Sequence, residues 1–166
     1  MAMGELLYEG KAKKIFSTGN PDQVVQYFKD DATAFNAQKR GTIVGKGVIN
    51  NKVSERLFQL LEKNGIRTHF VERSNDREML TKKVRIVPIE VVVRNVVAGS
   101  LAKRLGLKEG NRIDPAVVEF YYKNDGLGDP LVNDDHLRLM NVATPGVLRE
   151  LRELGHAVNK VLKPFF

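Results

Sequence analysis

The chain has 166 residues, of which 42% are hydrophobic and 28% charged, and it contains no cysteine. This length and composition fit one domain or two very small ones, and they exclude wholesale disorder, a disulfide framework and a thiolate metal site. The formal net charge of +7 favours anionic partners, and its even spread, without tryptophan or a basic tail, favours discrete phosphate sites over a nucleic-acid groove.

The first part of the chain is predicted to form short strands around a single helix. A polar stretch from Asp30 to Gly47 is expected to be a long loop. Apolar residues at helical spacing from Ile49 to Leu61 predict a helix, which Asn64-Gly65 ends. The strands predicted here are, in chain order, Glu5–Glu9, Lys13–Ser17, Val24–Lys29, Arg67–Glu72 and Met79–Lys83.

The second part mixes strands and helices without regular alternation. Its elements are predicted to be a buried strand over Ile86–Val97, a short helix over Ser100–Leu105 capped by Ser100 and ended by Gly106, a strand over Glu119–Tyr122, a loop over Asn124–Pro130 and a helix that starts at Thr144-Pro145. Strands first and then a mixture predict the α+β class rather than a doubly wound parallel sheet.

Two opposite charges stand in the most apolar strand. Glu90 and Arg94 share one strand face, but four residues span about 13 Å, so each needs another partner. One ligand in a cleft would supply both partners. A cation bound at one end of the ligand would pair with Glu90, and a phosphate at the other end would pair with Arg94. Separate structural partners, or exposure to solvent, explain the pattern equally well.

Three other segments contain residues suited to phosphate or metal chemistry. The Ala98-Gly99-Ser100 junction could form a phosphate cradle, and Gly10-Lys11-Ala12-Lys13 could lay two ammonium groups along a polyphosphate. In the glycine-rich loop beside Lys123, Asp125 and Asp129 could orient a polar substrate or hold Mg2+. For each segment the plain alternative, an N-cap, a solvated hairpin tip or a turn, is at least as well supported. The three histidines have no metal-ligand spacing and are assigned no role.

Several segments together resemble the SAICAR synthetase family, whose members are phosphoribosylaminoimidazole-succinocarboxamide synthases. The stretch 86–100, IVPIEVVVRNVVAGS, matches the family's first signature, and LLYEGKAKKIF resembles its opening. GKGVINNKVSE, FYYKND and GDPLVNDDH resemble later blocks. Members continue into an Asp-x-Lys-x-Glu-Phe-Gly segment that has no match here. The resemblance therefore covers the N-terminal two-thirds of the family's length, in line with the abrupt ending at Phe165-Phe166.

The resemblance implies an ATP-dependent carbon–nitrogen ligase of purine biosynthesis. It would join carboxyaminoimidazole ribonucleotide to L-aspartate with Mg2+, through an acyl phosphate, and release ADP and phosphate. The implied fold is two α+β lobes related to ATP-grasp enzymes, residues 1–83 for nucleotide phosphates and residues 84–166 for substrate, with the second lobe incomplete. Alternatives are an inactive fragment, another ATP-grasp-like ligase and an RNA-binding module. A cytoplasmic homodimer without membrane or nucleic-acid partners is expected, since no apolar run suits a leader or a membrane span.

The family's functional residues carry over onto matching positions. For ATP, the resemblance implies contacts from Gly10, Lys11, Ala12 and Lys13 to the phosphates, and from the backbone of Lys82 and Val84 to adenine. In the substrate lobe, it implies Glu90 and Asp129 as catalytic residues, with Glu90 as the Mg2+ ligand and Asp129 orienting the aminoimidazole. It also implies Arg94 and Ser100 as ligands of the ribonucleotide 5′-phosphate and Lys123 as a further substrate contact.

Overall fold

The computed structural model describes residues 3–34 and 39–166. The chain divides into two compact units, Met1–Arg85 and Ile86–Phe166, near the boundary that the sequence predicts after Lys83. Both units mix helix and sheet, so the α+β class is confirmed. Within the described ranges, no helix is both long and apolar enough to cross a membrane.

The first unit is an antiparallel five-stranded sheet, covered by one long helix. In space the strands run β1-β2-β3-β7-β6. Phe28, Phe70 and Met79 form its buried core, and Phe58 of the helix packs against them. The elements are β1 (Leu6–Glu9), β2 (Lys13–Ser17), β3 (Gln23–Phe28), β4 (Asp31–Ala34), β5 (Lys39–Thr42), α1 (Lys46–Lys63), β6 (Phe70–Arg73) and β7 (Glu78–Lys82).

The prediction of one long loop from Asp30 to Gly47 is wrong. β4 pairs with β5 as an antiparallel hairpin, from Asp31 opposite Thr42 to Ala34 opposite Lys39, and α1 already begins at Lys46. Residues 35–38 lie outside the described residues. The two strands read DATA and KRGT, so they lack the alternation of large apolar and polar residues by which strands are recognised in a sequence.

The start of α1 is held by a carboxylate that lies outside the helix. Asp30 accepts hydrogen bonds from the backbone N–H groups of Gly47 (2.8 Å) and Gly45 (3.3 Å). The Arg77 guanidinium donates to both carboxylate oxygens, at 2.9 and 2.8 Å. A Cβ atom at position 47 would collide with the carbonyl oxygen of Phe28, so the approach of α1 to β3 requires glycine there.

The contacts of Asp30 with Arg77 and with the start of α1 make the stability of the chain depend on pH. The hydrogen bonds from Arg77 and from the Gly47 amide hold the pKa of Asp30 far below its ordinary value. A lowered pKa stabilises the fold fully above the unfolded value of about 3.9, and the gain is lost as pH falls towards the folded value. We expect the difference in urea midpoint between wild type and Asp30→Asn to be constant above about pH 5 and to narrow in more acidic solution. A difference that does not change with pH would contradict this role.

The second unit is built around a three-stranded antiparallel sheet with the order β10-β9-β8. Ile89, Phe120, Leu137 and Leu148 form its buried core. Gly155 lets the last helix approach the sheet, because a Cβ there would stand 3.0 Å from a methyl group of Val91. The elements are β8 (Ile89–Val96), α2 (Gly99–Leu105), β9 (Arg112–Tyr122), β10 (Leu131–Val132), α3 (Asp134–Leu139) and α4 (Pro145–Leu162).

Two predicted caps in this unit have different outcomes. Thr144 is the N-cap of α4 and accepts from the Val147 amide at 3.4 Å, as predicted. The predicted cap by Ser100 is wrong, because α2 begins at Gly99 and its N-cap residue is Ala98, whose side chain makes no capping hydrogen bond. The Ser100 hydroxyl instead accepts from Arg94, and Gly106 ends α2 in the left-handed conformation, as predicted.

The strands and helices of this unit also depart from the predicted boundaries. β8 is shorter than the predicted Ile86–Val97 strand, and only Ile89 in it is buried, since its other residues are half-buried or exposed; β9 is much longer than the predicted Glu119–Tyr122 segment. β10 and α3 are not predicted at all. Both are short, and strands and helices of two to six residues give too little periodicity to be recognised in a sequence.

Candidate functional site

A cluster of two arginines, one glutamate and one tyrosine connects β8, α2 and β9. Arg94 donates from Nε to Glu119 at 2.6 Å and from Nη2 to the Tyr121 hydroxyl at 3.2 Å. Arg104 of α2 forms an ion pair with the other oxygen of Glu119 and donates to Tyr121 at 3.3 Å. With two guanidinium groups and one carboxylate, the cluster has a net positive charge.

Glu119 is the buried centre of this cluster. Burial works against its ionised form, but hydrogen bonds from Arg94 and Tyr121 and the charges of both arginines outweigh burial and lower the pKa of Glu119. The pKa of Arg94 is raised in turn, chiefly by its bond to Glu119. Glu119 therefore stays charged at neutral pH and fixes both guanidinium groups in place.

Arg94 and Ser100, the two predicted ligands of a phosphate, lie side by side. Arg94 Nη2 donates to the Ser100 hydroxyl over 3.1 Å, and this places the hydroxyl and the guanidinium at the start of α2. A guanidinium has five N–H donors, of which three are used in these contacts. Within residues 3–34 and 39–166, no hydrogen bond engages Nη1 of Arg94, so two donors face no partner there.

The neighbouring backbone donor is already in use. The N–H of Gly99 donates to the Glu109 carboxylate at 2.9 Å, which satisfies one of the free amides at the start of α2. The Gly99 amide is therefore not available to an anion that binds beside Arg94 and Ser100.

Glu90 lies on the same strand and contacts a different residue. Its carboxylate is 3.7 Å from the Lys123 ammonium, and both side chains are about half exposed. Glu90 and Arg94 do not pair with each other, as the strand spacing predicts. The structure therefore provides a protein partner for each charge, which is one of the alternatives that the sequence leaves open.

Asp129 is part of the loop that follows β9. Its carboxylate accepts from the Asn124 amide at 2.8 Å, and its backbone has a φ of 48°. Left-handed backbone is uncommon outside glycine, and asparagine and aspartate tolerate it best. The contact bends the loop back on itself and holds the Asp129 side chain beside the end of β9. Asp125 opens a short 3₁₀ turn in the same loop.

Mg2+, which the resemblance implies, fits Glu90 only as a single protein ligand. The described ranges contain no group of three or more aspartate, glutamate or histidine side chains that could hold a metal ion. Mg2+ commonly keeps several waters and binds one or two carboxylates together with substrate phosphates. One exposed carboxylate is compatible with that pattern.

In the first unit, Gly10, Lys11 and Ala12 form the tight turn between β1 and β2. The Gly10 amide donates to the Lys13 carbonyl at 2.9 Å. Lys29, just beyond β3, supports the turn, because its amide donates to the Ala12 carbonyl at 2.9 Å and its ammonium pairs with Glu9 at 2.7 Å.

Lys13 differs from a solvated turn residue. Its ammonium lies 4.8 Å from the centre of the buried Phe28 ring and donates to the Gln26 side-chain oxygen at 3.3 Å. Burial lowers its pKa. No carboxylate within the described ranges lies at ion-pairing distance from Lys13, so this partly buried cation is suited to an external anion.

Lys82 and Val84 lie at the end of β7 and just beyond it. The Lys82 amide donates to the His69 carbonyl at 2.7 Å, so its N–H is committed to the protein. Val84 is exposed in an irregular segment. A contact to adenine through backbone groups would therefore use the Lys82 carbonyl or the backbone of Val84.

The sequence prediction missed the residues that support the predicted ligands. Glu119 and Tyr121 are two residues apart, and this spacing predicts that they share one face of a strand. The pairing of β9 with β8 then brings that face to Arg94. Gln26 and His69 beside Lys13 had no comparable signal, since they come from segments far apart in the sequence.

Comparison with known proteins identifies the family. The SAICAR synthetase family model matches residues 6–166. The phosphoribosylaminoimidazole-succinocarboxamide synthase of Clostridium botulinum (strain Okra) is 56% identical over the whole chain, which spans 71% of that protein. The crystal structure of the Ehrlichia chaffeensis synthase superposes with a TM-score of 0.91 at 45% identity, over 95% of this chain and 67% of that one. A SAICAR synthetase (Type-2) in complex with ADP superposes with the same TM-score at 43% identity, over 97% of this chain and 68% of that one. The chain belongs to the SAICAR synthetase family.

Proposed function

We propose that this chain binds ATP, carboxyaminoimidazole ribonucleotide and L-aspartate and ligates the last two through an acyl phosphate. Family membership and an ADP complex of one solved relative support ATP-driven ligation. The observation that carries the proposal within this chain is the contact of Arg94 with Ser100. It brings two predicted phosphate ligands together in a cluster of net positive charge.

The chemistry needs a leaving group on the substrate carboxylate. A carboxylate resists attack by an amine because a second negative charge would accumulate on it. In the first step, a carboxylate oxygen attacks the γ-phosphorus of ATP, the bond from phosphorus to the ADP oxygen breaks, and an acyl phosphate forms. In the second step, the aspartate amine attacks the carbonyl carbon, loses a proton, and expels inorganic phosphate as the amide forms. No covalent bond to the protein is required, in keeping with a chain that lacks cysteine.

The substrate residues supply charge and orientation. Arg94 and Ser100 grip the 5′-phosphate, with Glu119 and Tyr121 keeping the guanidinium aligned. A fixed guanidinium is suited to phosphate because its donors match two oxygens at once. Asp129 orients the aminoimidazole, and Lys123 is a further substrate contact.

The nucleotide residues lie in the first unit. Gly10, Lys11 and Ala12 contact the phosphates around the turn, and Lys13 offers its ammonium to them. Lys82 and Val84 contact adenine through their backbone. A partly buried ammonium attracts phosphate oxygens more strongly than a solvated one does, because less water screens its charge.

Glu90 is the proposed protein ligand of Mg2+. Mg2+ bound there would supply charge neutralisation for the phosphoryl transfer. Glu90 holds and orients it from the strand face that also bears Arg94.

Glu90→Gln tests this role and should leave the fold intact. The side chain is half exposed, and its ion pair with Lys123 is a surface pair that contributes little stability. We expect turnover to fall by about 10- to 100-fold, with an increased Mg2+ requirement, because several kcal/mol of charge stabilisation depend on the ion. Glu72→Gln, on the exposed face of β6, is the matched control. Wild-type turnover across Mg2+ concentrations would remove Glu90 from metal binding.

A related ligase with another amine substrate is the nearest rival. Replacing L-aspartate by L-glutamate, L-asparagine or glycine in an ADP-release assay separates the two. The proposal predicts that ADP release requires L-aspartate. Faster release with another amine would assign the chain to a different carboxylate–amine ligation.

An incomplete second lobe is the second candidate, and an apolar groove on α4 favours it. The groove, about 400 Å³ in volume, lies between β8 and α4 and is lined by Val91, Val93, Leu151, Leu154 and Val158, among others. The chain spans 71% of the curated relatives it matches. We infer that further sequence covers this groove in those relatives, so that this chain alone has weakened ligase activity.

Comparing this chain with one extended to the relatives' length tests that inference. The extended chain should bind less of a hydrophobic dye and release ADP faster, whereas equal dye binding and equal turnover would contradict the inference.

Kinship with ATP-grasp enzymes, a homodimeric state and a cytoplasmic location stay predictions of the resemblance.

A further inference from the structure

A chain of polar contacts crosses the sheet of the first unit and ends at Lys13. Gln26 on β3 accepts from the Lys13 ammonium at 3.3 Å through its side-chain oxygen. The Gln26 amide nitrogen donates to Thr81 on β7 at 3.2 Å and contacts His69 Nε2, just before β6, at 3.0 Å. The contacts therefore run from β2 through β3 and β7 to the residue that precedes β6.

The chemistry of Lys13 determines which group donates and which accepts in each of these polar contacts. An ammonium has only donors, so the Gln26 oxygen must face it and the Gln26 NH2 group must face the other way. The NH2 group then needs two acceptors, which are the Thr81 hydroxyl and an unprotonated Nε2 of His69. His69 must therefore be neutral, with its proton on Nδ1.

The surroundings of His69 favour that state. Burial lowers the pKa of His69, and the charges of Lys13 and Lys82 lower it further. Phe58 meets the imidazole edge-on with ring centroids 5.1 Å apart, which limits its rotation. Gln26 is 8% exposed and Thr81 is fully buried, so the Gln26 amide depends on protein partners for its hydrogen bonds.

We propose that Gln26 and His69 are positioning residues that hold the Lys13 ammonium in the orientation that binds nucleotide phosphates. This inference rests on the proposed contact between Lys13 and the ATP phosphates. Lys13 has several rotatable bonds and sits above the Phe28 ring, so without the Gln26 oxygen it has no polar anchor within the described ranges. An anchored ammonium loses less conformational entropy when it binds a phosphate.

Nucleotide titrations of this chain test the role. The probes are ATP, ADP and adenosine, because a residue that acts through Lys13 should change affinity for phosphates and leave adenosine binding unchanged. We expect Lys13→Met to weaken ATP binding by about 100-fold, and Gln26→Met and His69→Met by about 10-fold, the scale of hydrogen bonds to a charged group. Affinity for adenosine should change less than about 2-fold in all three variants.

A conservative substitution separates positioning from packing. His69→Gln keeps an acceptor for the Gln26 amide and should restore ATP affinity to within about 3-fold of wild type, unlike His69→Met. Gln59→Met and His156→Met, on exposed positions of α1 and α4, are matched controls. A nitrogen NMR signal of an unprotonated Nε2 on His69 would support the bond directions, and a protonated Nε2 would overturn them.

The outcomes distinguish the two levels of the proposal. If Lys13→Met leaves ATP affinity unchanged, the phosphate site itself is wrong, and with it the role of Gln26 and His69. If Lys13→Met weakens ATP binding but Gln26→Met and His69→Met do not, the site stands and the positioning role is wrong. Equal weakening of ATP and adenosine by Gln26→Met or His69→Met would show a structural role only.

Discussion

Replacing Glu119 by alanine is expected to lower the free energy of unfolding by about 3 kcal/mol, near the low end for breaking a buried ion pair. Glu119 is 9% exposed and pairs with Arg94 and Arg104 at once. Its removal leaves two guanidinium groups facing each other without the carboxylate between them, and it removes the acceptor of the Tyr121 hydroxyl. Urea denaturation of wild type and variant at neutral pH measures the difference.

The effect of Glu119→Ala should depend on pH in a defined direction. Because the pKa of Glu119 is lowered in the folded chain, its stabilisation is present above the unfolded value of about 4.3 and decreases as pH falls through the folded value. The difference in the free energy of unfolding between wild type and variant should therefore become smaller in acid. Glu72→Ala, at an exposed position of β6, is the control and should have little effect. A loss of stability no larger than this control would show that Glu119 is not the centre of the cluster.

Arg94→Met is expected to weaken binding of carboxyaminoimidazole ribonucleotide by about 100-fold, equivalent to about 3 kcal/mol for a charged phosphate contact. ATP affinity should stay within about 2-fold of wild type, because Arg94 belongs to the second unit and the proposed ATP phosphate contacts belong to the first. Calorimetric titration with the ribonucleotide and with its nucleoside, which lacks the 5′-phosphate, isolates the effect. The nucleoside should bind both proteins alike.

Arg104→Met is the matched control for Arg94→Met. Arg104 pairs with the same glutamate and the same tyrosine but does not contact Ser100. A phosphate ligand at position 94 predicts a much larger loss for Arg94→Met than for Arg104→Met. Equal losses in both variants, or an unchanged ribonucleotide affinity in Arg94→Met, would contradict the assignment.

The fold was predictable from the sequence where local signals are strong. The turn before β2, the stop of α2 at Gly106 and the start of α4 at Thr144 all follow from single-residue preferences. The helical spacing from Ile49 to Leu61 correctly places α1, but Ile49 is 62% exposed in the structure. Periodicity identifies a helix without showing which face is buried.

The candidate site was predictable only in part, because its support is non-local. The strand period correctly places Glu90 and Arg94 on one face of β8, and a residue pattern cannot decide between a ligand and a protein partner for them. Their protein partners, Glu119 and Lys123, come from the next part of the chain and meet them through the pairing of β8 with β9. That register depends on the whole connection from residue 97 to residue 111, which no motif encodes.

The ligation is tested most directly by ADP release from ATP and Mg2+ when the ribonucleotide and L-aspartate are withheld in turn. The proposed chemistry predicts ADP, phosphate and the new amide in equal amounts, and only when all three substrates are present. ADP release that needs the ribonucleotide but is indifferent to L-aspartate, or that occurs without the ribonucleotide, would contradict the ligation.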